Sequence, residues 1–219
     1  MRSRADDRRA FLRLLLASAV VPARGLSAVA SAARQTAASP PAAAGHHVYP
    51  PDRIQDAIEK AARDPVDKTV YVQAGTYRPA ARGQALIWFN ARHDGVTLEA
   101  VGDVTLTAAN PDIADSQAHS FPAIVNHVVY FGHGISRRTV LRGFKITGAN
   151  NYTTGTGDKS PIESDDVVKT AFFFADGGGI KIYARAYPTI ERVEVVGNYT
   201  SPCGAGVSVE PLGRPLDAA

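Results

Sequence analysis

Carboxylates carry the most obvious chemistry in this chain of 219 residues. Residues 150–176 hold Asp158, Glu163, Asp165, Asp166 and Asp176 against Lys159 and Lys169, a net of −3. Clustered carboxylates supply the oxygen ligands that Ca2+ prefers, and Asp165 and Asp166 form the adjacent pair for such an ion. The same groups could serve as acid and base in glycosidic cleavage, where two carboxyl groups flank the scissile bond. Asp165, Asp166 and Asp176 are therefore the candidate catalytic carboxylates, with Lys181, Arg137 and Arg138 as nearby cations. The spacing is not that of an EF-hand, and a solvated acidic loop is the competing reading.

Other side chains carry two readings each. Cys203 is the single cysteine, so no intramolecular disulfide can form. Flanked by Pro202 and Gly204, it is a turn or core residue, or a nucleophile if a partner lies near in space. His46-His47 is a metal-binding pair or part of a solvated tail. His127, inside an apolar run, is a satisfied core histidine or a ligand. Trp88 lies in a second apolar run and is core packing or a sugar platform. Gly155-Thr156-Gly157-Asp158-Lys159-Ser160 lacks the order and the strand–loop–helix setting of a phosphate loop.

The elements that must position these residues repeat. Leu141-Arg142-Gly143-Phe144-Lys145-Ile146-Thr147-Gly148 returns 49 residues later as Ile190-Glu191-Arg192-Val193-Glu194-Val195-Val196-Gly197. Gly177-Gly178-Gly179-Ile180-Lys181-Ile182 returns 27 residues later as Gly204-Ala205-Gly206-Val207-Ser208-Val209. Periods of this size mark stacked architectures in which no unit buries its apolar face alone. Phe144 and Ile146 alternate with polar residues, as in a strand with one buried face, while Leu141 is out of phase. That offset predicts a corner at Gly143, and at Arg192 in the second copy. Ile180 and Ile182 alternate with Lys181, which points the other way. Further strands are expected at residues 69–72, 85–89, 96–98, 104–106 and 124–131. The 96–98 and 104–106 strands are separated by a turn at Gly102-Asp103. Asp52 is the expected N-cap of a short helix, with Gln55 completing a capping box. Ile54, Ala57, Ile58 and Ala61 form that helix's apolar face.

The repeated segments, with Gly-Gly-Gly-Ile and Gly-Ala-Gly-Val between them, resemble secreted right-handed parallel β-helix proteins of the pectin-lyase-like superfamily. The resemblance spans most of residues 50–210 and implies an all-β right-handed parallel β-helix, a solenoid with a short N-terminal capping α-helix. Roughly five or six incomplete coils at about 4.8 Å each would extend on the order of 25–30 Å. The superfamily holds lyases, hydrolases, epimerases and adhesins, so fold alone does not select a reaction. Its lyases use acidic Ca2+ ligands and a basic residue that removes the proton α to a uronate carboxylate. In this chain Lys181, Arg137 and Arg138 would be the nearest candidates for that base. Gly132-His133-Gly134 resembles an element of polygalacturonase-type hydrolases. The carboxylates that precede the histidine there do not precede it here, and Asp165-Asp166 follow it.

The first residues read as an address. Asp7-Arg8-Arg9-Ala10-Phe11-Leu12-Arg13 resembles the twin-arginine export motif, followed by an apolar run and an A-x-A site at Ala30-Ser31-Ala32. The run is too short for a bilayer span of about 20 residues, so no stable membrane insertion is expected after cleavage. Residues 1–32 carry six arginines and two aspartates, a net of +4, so the chain's +3 leaves about −1 for the remainder. That balance gives no case for a nucleic-acid partner. The expected divisions are an export signal at 1–32, an Ala/Pro-rich linker at 33–50, the β-helix domain at 51–210 and a tail at 211–219. The tail has no apolar pattern to cap a last coil, so a longer protein or a covering partner is expected. The functional expectation is an exported, periplasmic or extracellular protein that binds or processes an acidic polysaccharide. Lys145 and Arg192, with Lys181, would meet its carboxylates. The rival expectation is a non-catalytic surface or adhesion scaffold, or an inactive fragment of a longer enzyme.

Overall fold

Parallel strand pairing organises the chain, and a parallel neighbour must come from a distant segment because no hairpin can supply it. The computed structural model describes residues 44–151, 177–200 and 204–210. The chain begins with strand β1 (His46–Val48), helix α1 (Ile54–Arg63), and strands β2 (Thr69–Tyr77) and β3 (Gly83–Phe89). A 3-10 turn at Ala91–His93 leads into β4 (Thr97–Thr107), β5 (Val125–Phe131), β6 (Val140–Arg142), β7 (Lys145–Thr147) and β8 (Asn150–Asn151). After residue 176 come β9 (Ile180–Tyr183), β10 (Thr189–Glu191), β11 (Glu194–Val195), β12 (Tyr199–Thr200) and β13 (Val207–Glu210). One sheet runs β1-β2-β4-β6-β10, with β7 on the second half of β4 and β11 on β7. A four-stranded sheet runs β3-β5-β9-β13, and β8 pairs β12. All these pairs are parallel. The described part is thus all-β with one α-helix, and among the described residues no helix is long and apolar enough to cross a membrane. The export segment, residues 33–43 of the expected linker, Cys203 and the tail lie outside the described residues.

The sequence repeats are the register of the sheets. Ile190 pairs Leu141, Val195 pairs Ile146 and Val207 pairs Ile180, each copy beside the other. The expected corner is present in both copies, with φ of 85° at Gly143 and 49° at Arg192. Glycine enters this left-handed region freely, whereas a side chain there is strained. The two strands expected on either side of Gly102-Asp103 are one strand, β4, which absorbs the turn as an irregularity opposite Gln73 and Gly75. Continuous pairing with β2 on both sides of the irregularity holds it together.

Apolar residues stack along the ladders. Val70, Leu98 and Leu141 are fully buried in successive register, and Ile87, Val129 and Ile180 do the same in the second sheet. Phe89 and Phe131 stack with ring centroids 4.9 Å apart. Each such side chain contributes about 1.5–3 kcal/mol by leaving water. Ile54, Ile58 and Ala61 of α1 join the same core.

Two local expectations need correction. The N-cap of α1 is Arg53, which makes no side-chain capping bond. Gln55 instead reaches β3, where Oε1 accepts from the Trp88 N–H at 2.9 Å and Nε2 donates to the Trp88 carbonyl at 3.2 Å. Two backbone groups of β3 outcompeted a local cap because burial leaves them no water. His46 and His47, placed by sequence in a linker, lie in β1. His46 Nε2 is 3.2 Å from Asp64, and the His47 ring stacks on Tyr71 at 5.3 Å.

Asp94 ties the turn before β4 to the one before β6. Its Oδ1 accepts from the Ser136 N–H at 2.8 Å, the Ser136 hydroxyl at 2.7 Å and the Thr139 hydroxyl at 3.2 Å. Arg138 donates to Oδ2 at 2.5 Å. Burial alone would raise the carboxyl pKa, but these donors outweigh it and hold it at about 2, below its ordinary 3.8. The folded state therefore binds this proton less tightly than the unfolded chain. The stabilisation is complete above the unfolded value and is lost as pH falls from about 4 towards 2. Asp94→Ala should cost about 1–2 kcal/mol at pH 7, discounted for the exposed Arg138, and much less at pH 2.5. Urea unfolding at the two pH values checks this; an equal loss at both would refute it. Arg192→Gly should raise stability by up to about 1 kcal/mol through relief of the left-handed backbone, read as a higher melting temperature.

Candidate functional site

A cavity of about 570 Å3 opens between the start of α1, the loop after β2 and the first residues of β3. Its size falls within the range of roughly 300–1,000 Å3 usual for small-ligand sites. Arg53 enters from the helix start, and Arg78 and Arg82 from the two ends of the loop at residues 78–82. Against these three arginines the described lining carries one acidic residue, Asp52. Leu86 and Trp88 supply apolar and aromatic surface.

Each wall is held by its own hydrogen bonds. Arg78 Nη1 donates to the Ala109 carbonyl at 3.2 Å, and Asn110 Nδ2 donates to the Pro79 carbonyl at 3.0 Å, which ties the loop to residues 109–110. Gln55 fixes Trp88 to the helix. The Trp88 indole N–H is buried without a hydrogen-bond partner. That costs about 1–3 kcal/mol, which a phenylalanine would avoid. Tyr77 points its hydroxyl at the carbonyl oxygens of Val48 at 3.2 Å and Gln73 at 3.0 Å. Burial, with the Asp52 carboxylate second, pushes its pKa up to about 12. Tyr77 is therefore a neutral phenol and no base at neutral pH.

The lining has the chemistry of a binding site. Arg53, Arg78 and Arg82 in one lining suit carboxylates or other planar oxyanions, which guanidinium groups engage in paired hydrogen bonds. Glycosidic cleavage needs two carboxyl groups in opposed roles, and among the described residues the lining holds one, Asp52. The arginines were not among the sequence candidates. One signal was available: a cation at a helix N-terminus opposes the helix dipole, so Arg53 was misplaced for stability. Its meeting with Arg78 and Arg82 depends on tertiary structure.

The expected site residues fall in several places. Asp165, Asp166 and Asp176 lie outside the described residues, with Asp158 and Glu163. Among the described residues no group of three or more His, Cys, Asp or Glu is placed to hold a metal ion. Arg137 is exposed in the turn before β6, and its carbonyl accepts from the Thr189 hydroxyl at 2.7 Å. Lys145 is exposed on β7, 3.8 Å from Glu194. Arg192 is exposed at its corner. Lys181 belongs to the other sheet. It is fully buried, with Nζ 2.7 Å from Glu210 Oε2 and 5.5 Å from the centre of the Tyr183 ring. Burial, followed by the Glu210 carboxylate, pushes the Tyr183 pKa up to about 12, and burial raises that of Tyr130 as well. The expected outward-facing Lys181 is thus an interior ammonium, because aromatic side chains and Glu210 enclose it.

Three more histidines have identified partners. His127 is fully buried between Gln84 at 2.9 Å and the Gly177 carbonyl at 3.1 Å, which makes it a satisfied core residue. His133 is exposed, with Nδ1 3.3 Å from the Ala184 carbonyl. Burial lowers the His93 pKa although Glu59 opposes the shift from 3.1 Å.

No protein-family model, curated protein or solved structure matches this chain.

Removing one member of a buried ion pair takes away the other's nearest counter-charge, at up to about 3–5 kcal/mol. Glu210→Ala should therefore cost on the order of 3 kcal/mol in urea unfolding, and Lys181→Met should cost less. Equal stability of Glu210→Ala and the parent would show that the pair does not hold this sheet together.

Proposed function

We propose that the protein is an exported right-handed parallel β-helix that binds an acidic saccharide, the end or branch of an extracellular polysaccharide, at the cavity beside α1. The observation that carries the binding reading is the convergence of Arg53, Arg78 and Arg82 around a cavity that also presents Trp88. Uronate carboxylates would pair with the guanidinium groups, and the apolar ring face of a sugar would rest against the indole. The β-helix part is supported by parallel ladders whose register matches the 49- and 27-residue repeats. Export is supported by the twin-arginine-like segment and the cleavage site after it.

Binding is favoured over cleavage by the placement of Lys181. Its ammonium is enclosed and paired with Glu210, so in this arrangement it does not face a polymer on the surface. The cavity would then act as a recognition site on a rigid scaffold.

Calorimetric titration of the full chain with short oligouronates, and with neutral oligomers of equal length, tests the proposal. Saturable binding of the uronates, at least about tenfold tighter than the neutral sugars, is expected from one or two charge-assisted pairs. Arg78→Ala with Arg82→Ala should weaken it by about tenfold or more while the melting temperature stays within a few degrees. Equal affinity for neutral oligomers, or no effect of the double substitution, would overturn it.

A further inference from the structure

The strands β10 and β11 form an edge of the larger sheet: among the described residues each has a strand neighbour on one side only. The ladders leading to that edge alternate in charge. Arg142 lies between Glu99 at 3.5 Å and Glu191 at 2.8 Å, its register partners on the two sides. Lys145 pairs in register with Glu194, 3.8 Å away. The edge thus ends on two glutamates, each with a cation beneath it. Beside and between them, Ile190, Val193 and Val195 are only partly buried, whereas Leu141, Phe144 and Ile146 at the matching positions one strand back are enclosed. A further strand would complete both patterns at once.

We infer that this edge docks a basic, strand-forming segment of a partner protein, added in parallel to β10 and β11. Its chemistry follows from the ladders. An apolar residue lies over Ile190, cations meet Glu191 and Glu194, and an apolar residue lies over Val195. Main-chain hydrogen bonds to the free edge supply affinity, and the alternate side chains supply selectivity. Arg192, at the corner between the glutamates, disfavours a cation directly above it and so fixes the spacing of the two cations. A second copy of this chain is a poorer occupant on charge grounds. A tail-to-tail contact brings the same glutamates against each other. A head-to-tail contact must use the opposite end, where α1 packs against β1, β2 and β3 and Gln55 occupies the Trp88 backbone groups.

The chain's own preceding strand pair has the required pattern, so a labelled peptide of residues 140–147, Val-Leu-Arg-Gly-Phe-Lys-Ile-Thr, is the probe. Fluorescence anisotropy with the full chain should show saturable binding. A peptide with both cations changed to glutamate should bind at least tenfold more weakly. Glu191→Gln with Glu194→Gln should weaken the basic peptide by a similar factor, and the melting temperature of that variant shows whether the fold is kept. If it is not kept, Val195→Lys provides the second test, because a buried cation beneath the docked strand must also lower affinity. Equal binding of basic and acidic peptides, or no saturable binding, would overturn the inference. So would sedimentation showing a dimer that the glutamine substitutions dissociate, since the edge would then belong to a second copy.

Discussion

Every described strand depends on a partner that arrives from far along the sequence. Parallel pairing imposes that constraint, because the connection between neighbours must travel out and back before the next strand can be laid down. Here the register offsets of 49 and 27 residues fix which side chains stack, and the stacking fixes the core. A one-residue slip would move Leu98, Leu141 and Ile190 together out of the interior. The devices that resist such a slip lie at the corners. Gly143 turns with positive φ, Asp94 gathers four donors from the next turn, and Arg142 is held between two carboxylates.

The polar interactions divide by environment. Where a ladder faces solvent, as at Lys145 and Glu194, the pair is long and exposed and adds little to stability. Where the ladder is enclosed, as at Lys181 and Glu210, the same pair of residue types is costly to break by removing one partner alone. A lysine that alternation assigns to the outside of a strand is therefore not automatically available for chemistry. Tyr130, Tyr183 and Trp88 gather around that row and form an interior outside the main core.

Legibility followed the same division. The repeats could be read because a stacked fold writes its register into the sequence, so Leu141 and Ile190 identified each other before any coordinates. The corner at Gly143 and Arg192 was readable from the break in alternation. The capping box at Asp52 was not, because its expected second member, Gln55, is taken by a β3 backbone some thirty residues away in the chain. The strand at His46 and His47 was hidden for a similar reason: three residues carry too little periodicity, and pairing with β2 decides their state. The arginines of the cavity escaped because they come from a helix start and a loop, neither of which has a repeating pattern.

Gln55 has one more consequence. Its amide takes the place of a strand neighbour for Trp88, and both ends of that amide are engaged. The helix therefore cannot slide or rotate by a residue without stranding a buried donor and a buried acceptor. One wall of the cavity is bolted, and Arg78 and Asn110 fasten the facing loop more lightly from the other side. A ligand entering such a space meets a shape that already exists, and little ordering entropy is lost on closing around it. Discrimination then rests on fit. A rigid ligand would lose less entropy on entering the recess than a flexible one of the same charge.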